Sequence, residues 1–294
     1  MKRELLFAGV LLVLLPTSAL AAPKPPIAIT ALAPTVSTNF SAGDQVSAMA
    51  LANGAIYLAG TIETTSSKLI TSNPLGASDG FLIALGSNGS KLWDLRLGGV
   101  GDDVATAICV DLIGNIWVAG ASAISTTTPA PGLNRLTVWE VSSTGVLENT
   151  YVKDTPDVNI PTSIAAKGAN FTLQGVTSKT GSSSFAATLN PAGNIGSLNF
   201  SSTKLPVAPL TRSVNSSAYS WQSFITNGPL KGVTGIALHQ ITTVLTSYGL
   251  KDKSLKGVNS VTGTPLSLQY QSGTGVVLLT QGSGTYFLTI IHTK

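Results

Sequence analysis

The sequence predicts an all-β fold that is assembled from repeated four-stranded antiparallel units. Short runs of alternating apolar and polar residues are separated by turns rich in Gly and Asn, as in β-hairpins. A closing glycine recurs at Gly60, Gly120 and Gly175, at intervals of 60 and 55 residues. Beyond the N-terminal segment, no stretch has the apolar period of about 3.6 residues that marks an amphipathic helix.

The composition supports this prediction and excludes several classes of protein. Of the 294 residues, 43% are hydrophobic and 10% are charged, so the chain is too apolar for disorder and lacks the charged residues of long helices. A single cysteine, Cys109, excludes an intrachain disulfide and a thiolate zinc or iron–sulfur site. We therefore expect no cofactor.

Residues 1–21 are predicted to be a secretory signal peptide. Lys2 and Arg3 form a basic start, residues 5–15 are almost continuously apolar, and residues 19–21 read Ala-Leu-Ala, a typical cleavage site. The apolar run is too short for a membrane span, and an uncleaved anchor is the alternative. No later stretch is long and apolar enough to span a membrane. We expect a secreted, periplasmic or cell-surface protein.

Residues 22–38 are predicted to be an extended leader that precedes a β domain over residues 39–294. Three prolines within residues 23–26 stiffen the start of the leader. Residues 27–30, which read Ile-Ala-Ile-Thr, are a candidate strand.

Each predicted unit begins with a pair of strands. Residues 44–61, 103–121 and 163–177 each contain an alternating run, a Gly/Asn turn, a second alternating run and the closing glycine. Both faces of the second run are fairly apolar, as expected for strands that are packed between neighbouring sheets.

A second pair of strands completes each unit. It lies within residues 79–93, 137–147 and 184–195, where Asn-Gly, Thr-Gly and Gly-Asn supply the positive φ angles of tight hairpins. One such unit cannot bury two apolar faces, but a ring of units can. Four-stranded units of this length, repeated in line, predict a β-propeller.

Residues 98–120 closely resemble the bacterial β-propeller repeat family that is called SBBP. They read GGVGDDVATAICVDLIGNIWVAG, and residues 79–93 fit the other two strands of that repeat. The resemblance weakens over residues 40–67 and 160–200 and is poor after residue 205. It implies an exported bacterial protein with a propeller fold, and it implies no particular activity.

The C-terminal part is predicted to complete about five blades. Residues 234–238 and 242–246 can form one hairpin, and residues 267–270, 275–280 and 284–291 can form three strands. No fourth strand follows them, so residues 27–30 are expected to supply it and close the ring. The alternative is an irregular pair of β-sandwiches.

Three carboxylates are candidate metal ligands. Asp102 and Asp103 precede a predicted strand and Asp111 lies in the next turn, so together they could hold calcium. The favoured interpretation is that they cap turns through backbone N–H groups, because Asp44 recurs at the Asp103 position without the rest of the cluster.

The sequence contains no recognisable catalytic site. It has no H-E-x-x-H or P-loop motif. His239 is expected to be an ordinary strand residue within residues 237–241, and Cys109 a small core residue.

One tryptophan and three lysines are candidate ligand-binding residues. Trp93, Trp117 and Trp139 fall on regular strand positions and are expected to pack between blades, whereas Trp221 lies outside any clear repeat and is predicted to be an exposed ligand aromatic. The other candidates cluster in a predicted loop of the basic half of the chain: Lys251, Lys253 and Lys256.

The charge distribution is uneven along the chain. Residues 22–157 carry a net charge of −5 and residues 158–294 carry +8. Such a basic half can attract anionic cell-envelope polymers, although lysines in solvated loops are the simpler explanation. We expect no nucleic-acid partner, because basic and aromatic residues are not interleaved.

The sequence therefore favours a non-catalytic binding or structural module at or beyond the cell surface. Its partners would be anionic envelope polymers, glycans or another protein. The alternative is a propeller-fold enzyme, such as a lyase or glycan hydrolase, with an active site at the ring centre. Carboxylates or histidines converging on the ring centre would favour the enzyme.

Overall fold

A computed structural model describes residues 24–39, 44–63, 69–123, 132–206 and 211–293 of the chain. Every regular element in these ranges is a β-strand. None of the described residues forms a helix with the length and apolarity that a membrane crossing requires. The predicted signal peptide at residues 1–21 lies outside the described ranges.

Three short strands precede the repeated units and pair with the far end of the chain. They are β1 (Ile27–Ala28), β2 (Thr30–Ala31) and β3 (Val36–Asn39).

The first two sheets contain four antiparallel strands each, in sequence order. Blade 1 consists of β4 (Gln45–Ala52), β5 (Ala55–Ile62), β6 (Asp79–Gly86) and β7 (Lys91–Leu97). Blade 2 consists of β8 (Asp103–Val110), β9 (Ile116–Ser122), β10 (Arg135–Val141) and β11 (Leu147–Asp154).

The remaining sheets follow the same plan, with strands borrowed from the N-terminus. Blade 3 consists of β12 (Asn159–Lys167), β13 (Asn170–Thr177), β14 (Ser184–Leu189) and β15 (Asn199–Ser201). Blade 4 spans β16 (Arg212–Asn215), β17 (Tyr219–Thr226), β18 (Val233–Thr234), β19 (Thr242–Gly249) and β20 (Leu255–Val261), of which β18 pairs with β1 outside the main sheet. Blade 5 consists of β21 (Thr264–Gln271), β22 (Gly275–Gln281) and β23 (Thr285–Ile291), with β3 as its fourth strand.

The five sheets form a β-propeller, which confirms the predicted fold class. The first strands of neighbouring sheets contact one another: β4 contacts β8, β8 contacts β12, β16 contacts β21, and β21 contacts β4. This is the arrangement of a propeller, whose first strands surround the centre. Clusters of buried apolar residues join blades 1 and 2, 2 and 3, 4 and 5, and 5 and 1.

An N-terminal strand completes the last blade, but the expectation that residues 27–30 provide it is wrong. The strand is β3, which pairs antiparallel with β23 from Val36 opposite Leu288 to Asn39 opposite Thr285. The upstream residues instead form the short parallel pairs of β1 with β18 and of β2 with β20. Only residues close in sequence to β4 can reach blade 5, because blade 5 is the neighbour of blade 1.

The recurring glycines have a steric reason. In blade 2, β8 has a bulge opposite Gly120, and a Cβ on that glycine would overlap the backbone carbonyl of Val104 and press against the Trp139 ring. Gly60 and Gly175 lie opposite equivalent bulges in blades 1 and 3. The glycine of each repeat therefore makes room for the bulge and for an aromatic ring of the third strand.

The boundary between blades 3 and 4, here called the seam, is poor in contacts. Among the described residues, no cluster of buried apolar side chains spans these two blades. On β13, Phe171 and Leu173 are buried toward blade 2, whereas Gln174 and Val176 on the other face are exposed. Blade 3 therefore has one buried and one largely solvated face, unlike β5 and β9, which are buried throughout.

The second half of blade 4 differs from the predicted hairpin. The expectation that residues 234–238 pair with residues 242–246 is wrong, because β19 pairs with β17 and β20. His239 lies in a turn rather than a strand and has a left-handed φ of 61°. Two hydrogen bonds between Ala237 and Gln240 hold this turn.

Candidate functional site

A pocket of about 550 Å³ lies between blades 2 and 3. Three turns border it: the β8–β9 turn with Leu112 and Ile113, the β12–β13 turn with Gly168 and Ala169, and the β14–β15 connection, which begins at Asn190. All three lie at the same end of their blades, because successive antiparallel strands alternate in direction. The volume of the pocket is within the range of small-molecule binding sites.

A stack of three aromatic rings forms one wall of the pocket. Trp117 on β9 stacks on Phe171 of β13 with ring centroids 4.0 Å apart, and lies nearly parallel to Tyr151 of β11 at 5.7 Å. Trp117 and Phe171 are buried and Tyr151 is half-buried. The stack thus joins two blades and fixes the wall before any ligand arrives.

Asp111 anchors the edge of Trp117 and holds the β8–β9 turn. Its Oδ1 accepts hydrogen bonds from the backbone N–H groups of Ile113, Gly114 and Asn115, at 2.9–3.0 Å. Its Oδ2 accepts the indole N–H of Trp117 at 2.9 Å. A short side chain that bonds the backbone of the following residues is the turn-forming role of Asp.

Glu140 anchors the edge of Tyr151. The Oε2 atom of Glu140 accepts the Tyr151 hydroxyl at 2.8 Å and the side-chain amide of Asn149 at 2.8 Å, while its Oε1 accepts the amide of Asn115 at 3.0 Å. Glu140 itself is only 9% exposed. Burial, followed by Glu140, raises the pKa of Tyr151 to about 12. The phenol therefore remains a neutral donor to the carboxylate.

The lip of the pocket is apolar. Leu112 and Ile113 form the tip of the β8–β9 turn and are almost completely exposed. Turn tips ordinarily carry polar residues, so two adjacent large aliphatic side chains beside an apolar pocket indicate a contact surface.

Sequence reasoning missed most of this site. It placed Trp117 in blade packing, which is where the structure has it, but it did not select Tyr151, Phe171 or Glu140. These side chains are brought together only by the packing of two blades. The one available signal was the aliphatic pair Leu112 and Ile113 inside a predicted turn.

The three candidate metal ligands are not brought together. Asp111 holds the β8–β9 turn, Asp102 accepts the hydroxyl of Ser78 at 3.0 Å, and Asp103 accepts the backbone N–H of Gly99 at 2.8 Å. Burial raises the pKa of Asp103. Within the described ranges, no group of three or more His, Cys, Asp or Glu side chains could hold a metal ion.

The blade 4 candidates lie near one another but differ from expectation. The prediction that Trp221 is exposed is wrong: it is 8% exposed and packs in the apolar cluster of blades 4 and 5, because it faces inward from β17. Lys251 and Lys256 line a cleft of about 540 Å³ together with the exposed Tyr219. Lys256 is paired with Asp252 at 2.6 Å. The third lysine, Lys253, does not line the cleft and has a left-handed φ of 53°.

Few charged residues lie on the strands that surround the ring centre. Across the described strands β4, β8, β12, β16 and β21, the charged residues are Asp103, Lys167 and Arg212. Asp103 is buried, and Arg212 donates to the backbone carbonyl of Leu266 at 2.6 Å. The remaining polar residues of these strands are mainly Ser, Thr, Asn and Gln.

No protein-family model and no curated protein sequence matches the chain. Among solved structures, it is similar to a Bacteroides caccae protein of unknown function (12% identity, TM-score 0.37, covering 81% of this chain and 71% of that one). It is also similar to the Neurospora crassa Pan2 WD40 domain (12% identity, TM-score 0.31, covering 86% and 91%). A third similar structure is a Bacillus halodurans xylan β-1,4-xylosidase (11% identity, TM-score 0.35, covering 84% and 44%), of which the chain spans less than half the length.

Proposed function

We propose that the chain is an exported, non-catalytic binding module of the SBBP-repeat type, and that it holds a small ligand in the pocket between blades 2 and 3. Export rests on the basic, apolar and Ala-Leu-Ala pattern of residues 1–21. The binding role rests on one observation: the aromatic wall is fixed at both polar edges, by Asp111 at Trp117 and by Glu140 at Tyr151. A pre-organised apolar wall with few polar groups is typical of ligand sites.

The same hydrogen bonds favour binding over catalysis at this pocket. Asp111 accepts four hydrogen bonds and Glu140 accepts three, all from neighbouring residues. A general acid or base must instead aim a free oxygen at the reacting proton. Both carboxylates act on the shape of the pocket.

The strands around the ring centre also support binding over the enzyme alternative. A glycan hydrolase needs two carboxyl groups within several ångströms of each other. Asp103 is the one acidic residue of the described strands β4, β8, β12, β16 and β21, and it is buried against Gly99. This composition supports a scaffold whose ligand binds between blades.

A matched pair of substitutions on β12 tests the proposed site. Ala166 and Ala165 are both exposed, but Ala166 lies opposite Phe171 and lines the pocket, whereas Ala165 lies opposite Thr172 on the other face. The purified protein is screened by NMR against sugars, amines, carboxylates and aromatic fragments. Ala166→Trp should abolish binding of the hits by filling the pocket, and Ala165→Trp should leave it unchanged.

Two results would overturn the proposed function. One is a screen in which no compound of any class binds the wild-type protein. The other is a set of hits whose affinity survives Ala166→Trp, because those ligands would bind elsewhere.

A further inference from the structure

We infer that the ligand of the pocket between blades 2 and 3 carries a fully alkylated ammonium group, of the kind found in choline. This inference rests on the proposed function, because it names the class of ligand for that same pocket.

The charge of the lining favours a cation. Of the described residues that line the pocket, only Asp111 and Glu140 are charged. Lys167 lies in sequence between two lining residues, but it is opposite Asn170 on the other face of blade 3. Glu148 adds to the negative potential, since its charge contributes with Glu140 to the raised pKa of Tyr151. Lys153 lies on the same face of β11 as Tyr151 and opposes this potential, but it does not line the pocket. A cation therefore gains attraction that a neutral molecule of the same shape does not.

The hydrogen bonding of the two carboxylates selects among cations. A carboxylate offers about four acceptor positions. The four bonds of Asp111 and the three of Glu140 fill nearly all of them, all with donors of the protein. The charge of each carboxylate remains, but little acceptor capacity does. A primary ammonium would bury N–H donors without partners, which is costly, whereas an alkylated nitrogen has no N–H to satisfy.

The remaining lining suits the methyl groups of such a cation. Leu112, Ile113, Ala166 and Phe171 offer apolar surface, and Tyr151 adds a polarisable ring. Aromatic rings attract alkylated ammonium ions through their quadrupole, and these ions lose less hydration than compact ones when they are buried. The volume of about 550 Å³ leaves room for a larger molecule that bears this group.

Three probes separate the contributions, of which the first two have the same size and the third lacks the three methyl groups. Choline has a quaternary nitrogen, 3,3-dimethylbutan-1-ol has carbon in its place, and ethanolamine has a primary ammonium. Affinities are measured by isothermal titration calorimetry, and the indole N–H resonance of Trp117 reports the location. Choline should bind at least about tenfold more tightly than either of the others, as expected for one desolvated cation–aromatic or charge contact.

A matched pair of charge substitutions identifies the source of the preference. Glu140→Gln removes one charge of the pocket while keeping an amide oxygen for Tyr151 and Asn149, and it should remove most of the preference for choline over the alcohol. Glu63→Gln removes the same charge from an exposed position at the end of β5 and should change nothing. Thermal unfolding checks that each variant is folded. If Glu140→Gln does not fold, the wild type supplies a second test, because the preference should shrink as salt rises, although less than for a fully exposed charge.

The outcomes separate this inference from the proposed function. Equal affinity for choline and the alcohol would contradict the inference that the ligand is a cation. If ethanolamine binds as tightly as choline, the inference that the nitrogen is fully alkylated is wrong. If none of the three binds, but another compound binds the wild type and not Ala166→Trp, the inference fails and the proposed function stands. If no compound of any class binds, both fail.

Discussion

At the scale of single residues, the repeat depends on positions where only one type of residue fits. Gly120 is the clearest, because its missing Cβ leaves space that the β8 bulge and the Trp139 ring fill from opposite sides. A sequence repeat predicts that such a glycine matters. The carbonyl that it faces is visible only in three dimensions, because bulges depend on strand pairing.

Gly120→Ala should destabilise the whole domain. The added methyl overlaps the Val104 backbone, which cannot move without breaking the β8–β9 pairing, so we expect a loss of about 3 kcal/mol, as for overpacking of a rigid core. Urea unfolding measures it. The control is Gly99→Ala, whose Cβ would meet open space. Equal stability of the two variants would contradict the steric account.

Cys109 should be unreactive in the native protein. Burial, with a contribution from Asp111, raises the pKa of its thiol to about 12, so little thiolate forms below that pH. Native labelling by a thiol reagent at pH 8 should be far slower than labelling in denaturant. Rapid native labelling would contradict the burial.

The same shift has a consequence for stability. A folded pKa above the unfolded value of about 8.5 means that the unfolded state releases this proton first. The stabilisation is therefore complete below about pH 8.5 and is lost as the pH rises toward the folded value. Above pH 9 the wild type should lose stability more steeply than Cys109→Ala, as measured by urea unfolding at several pH values.

The pocket residues show what sequence reasoning can reach at this scale. The turn-capping interpretation of Asp111 follows from local chemistry alone and agrees with its three hydrogen bonds from backbone N–H groups. Glu140 and Phe171 could not be selected in the same way, because they lie on different blades and meet through Trp117 and Tyr151. The burial of Trp221 could not be predicted either, since it depends on which face of β17 meets blade 5.

At the scale of elements, the strands were predictable wherever the alternation of apolar residues is regular. Residues 275–280 and 284–291 correspond closely to β22 and β23. Two of the strands that were not predicted show the reason. Strand β20 contains Lys256 and follows a lysine-rich turn, so its pattern is that of a loop, and β3 is short and polar and is recognisable only by its partner β23.

Strand β3 should contribute far more to stability than the residues before it. It pairs along β23, and Val36 packs against the core shared by blades 1 and 5. Strands β1 and β2 form parallel pairs of two residues each. Removing residues 22–39 should therefore lower the melting temperature by roughly 10 °C or more, the shift expected from losing several kcal/mol in a domain of this size.

The shorter deletion of residues 22–32 is the control for that experiment. It removes β1 and β2 and leaves β3, so the melting temperature should fall by only a few degrees. Equal losses from the two deletions would mean that β3 does not close the ring.

At the scale of the whole molecule, the ring is unevenly packed. Apolar clusters cross four of the five blade boundaries within the described residues, and the seam between blades 3 and 4 is the exception. The number of blades followed from the length of the sequence repeat. The seam could not be predicted, because the alternation of residues on β13 and β14 fits a solvated face as well as a face that packs against blade 4.

A charged residue should be tolerated at the seam and nowhere else on the second strands of blades 2 and 3. Val176 on β13 is 43% exposed and faces away from blade 2, whereas Val118 on β9 is fully buried. Val176→Lys should change the free energy of unfolding by no more than about 0.5 kcal/mol, and Val118→Lys should prevent folding. A large loss from Val176→Lys would show that the seam is packed in solution.

The most direct test of the account is a chemical-shift map of the ¹⁵N-labelled protein saturated with its tightest ligand from the screen. The largest shifts should surround the pocket, at Trp117, Tyr151 and Phe171 and along the β8–β9 turn. Shifts centred on the first strands β4, β8 and β12 would contradict it and favour a site at the ring centre. Shifts centred on Lys251 and Lys256 would contradict it equally and favour the cleft of blade 4.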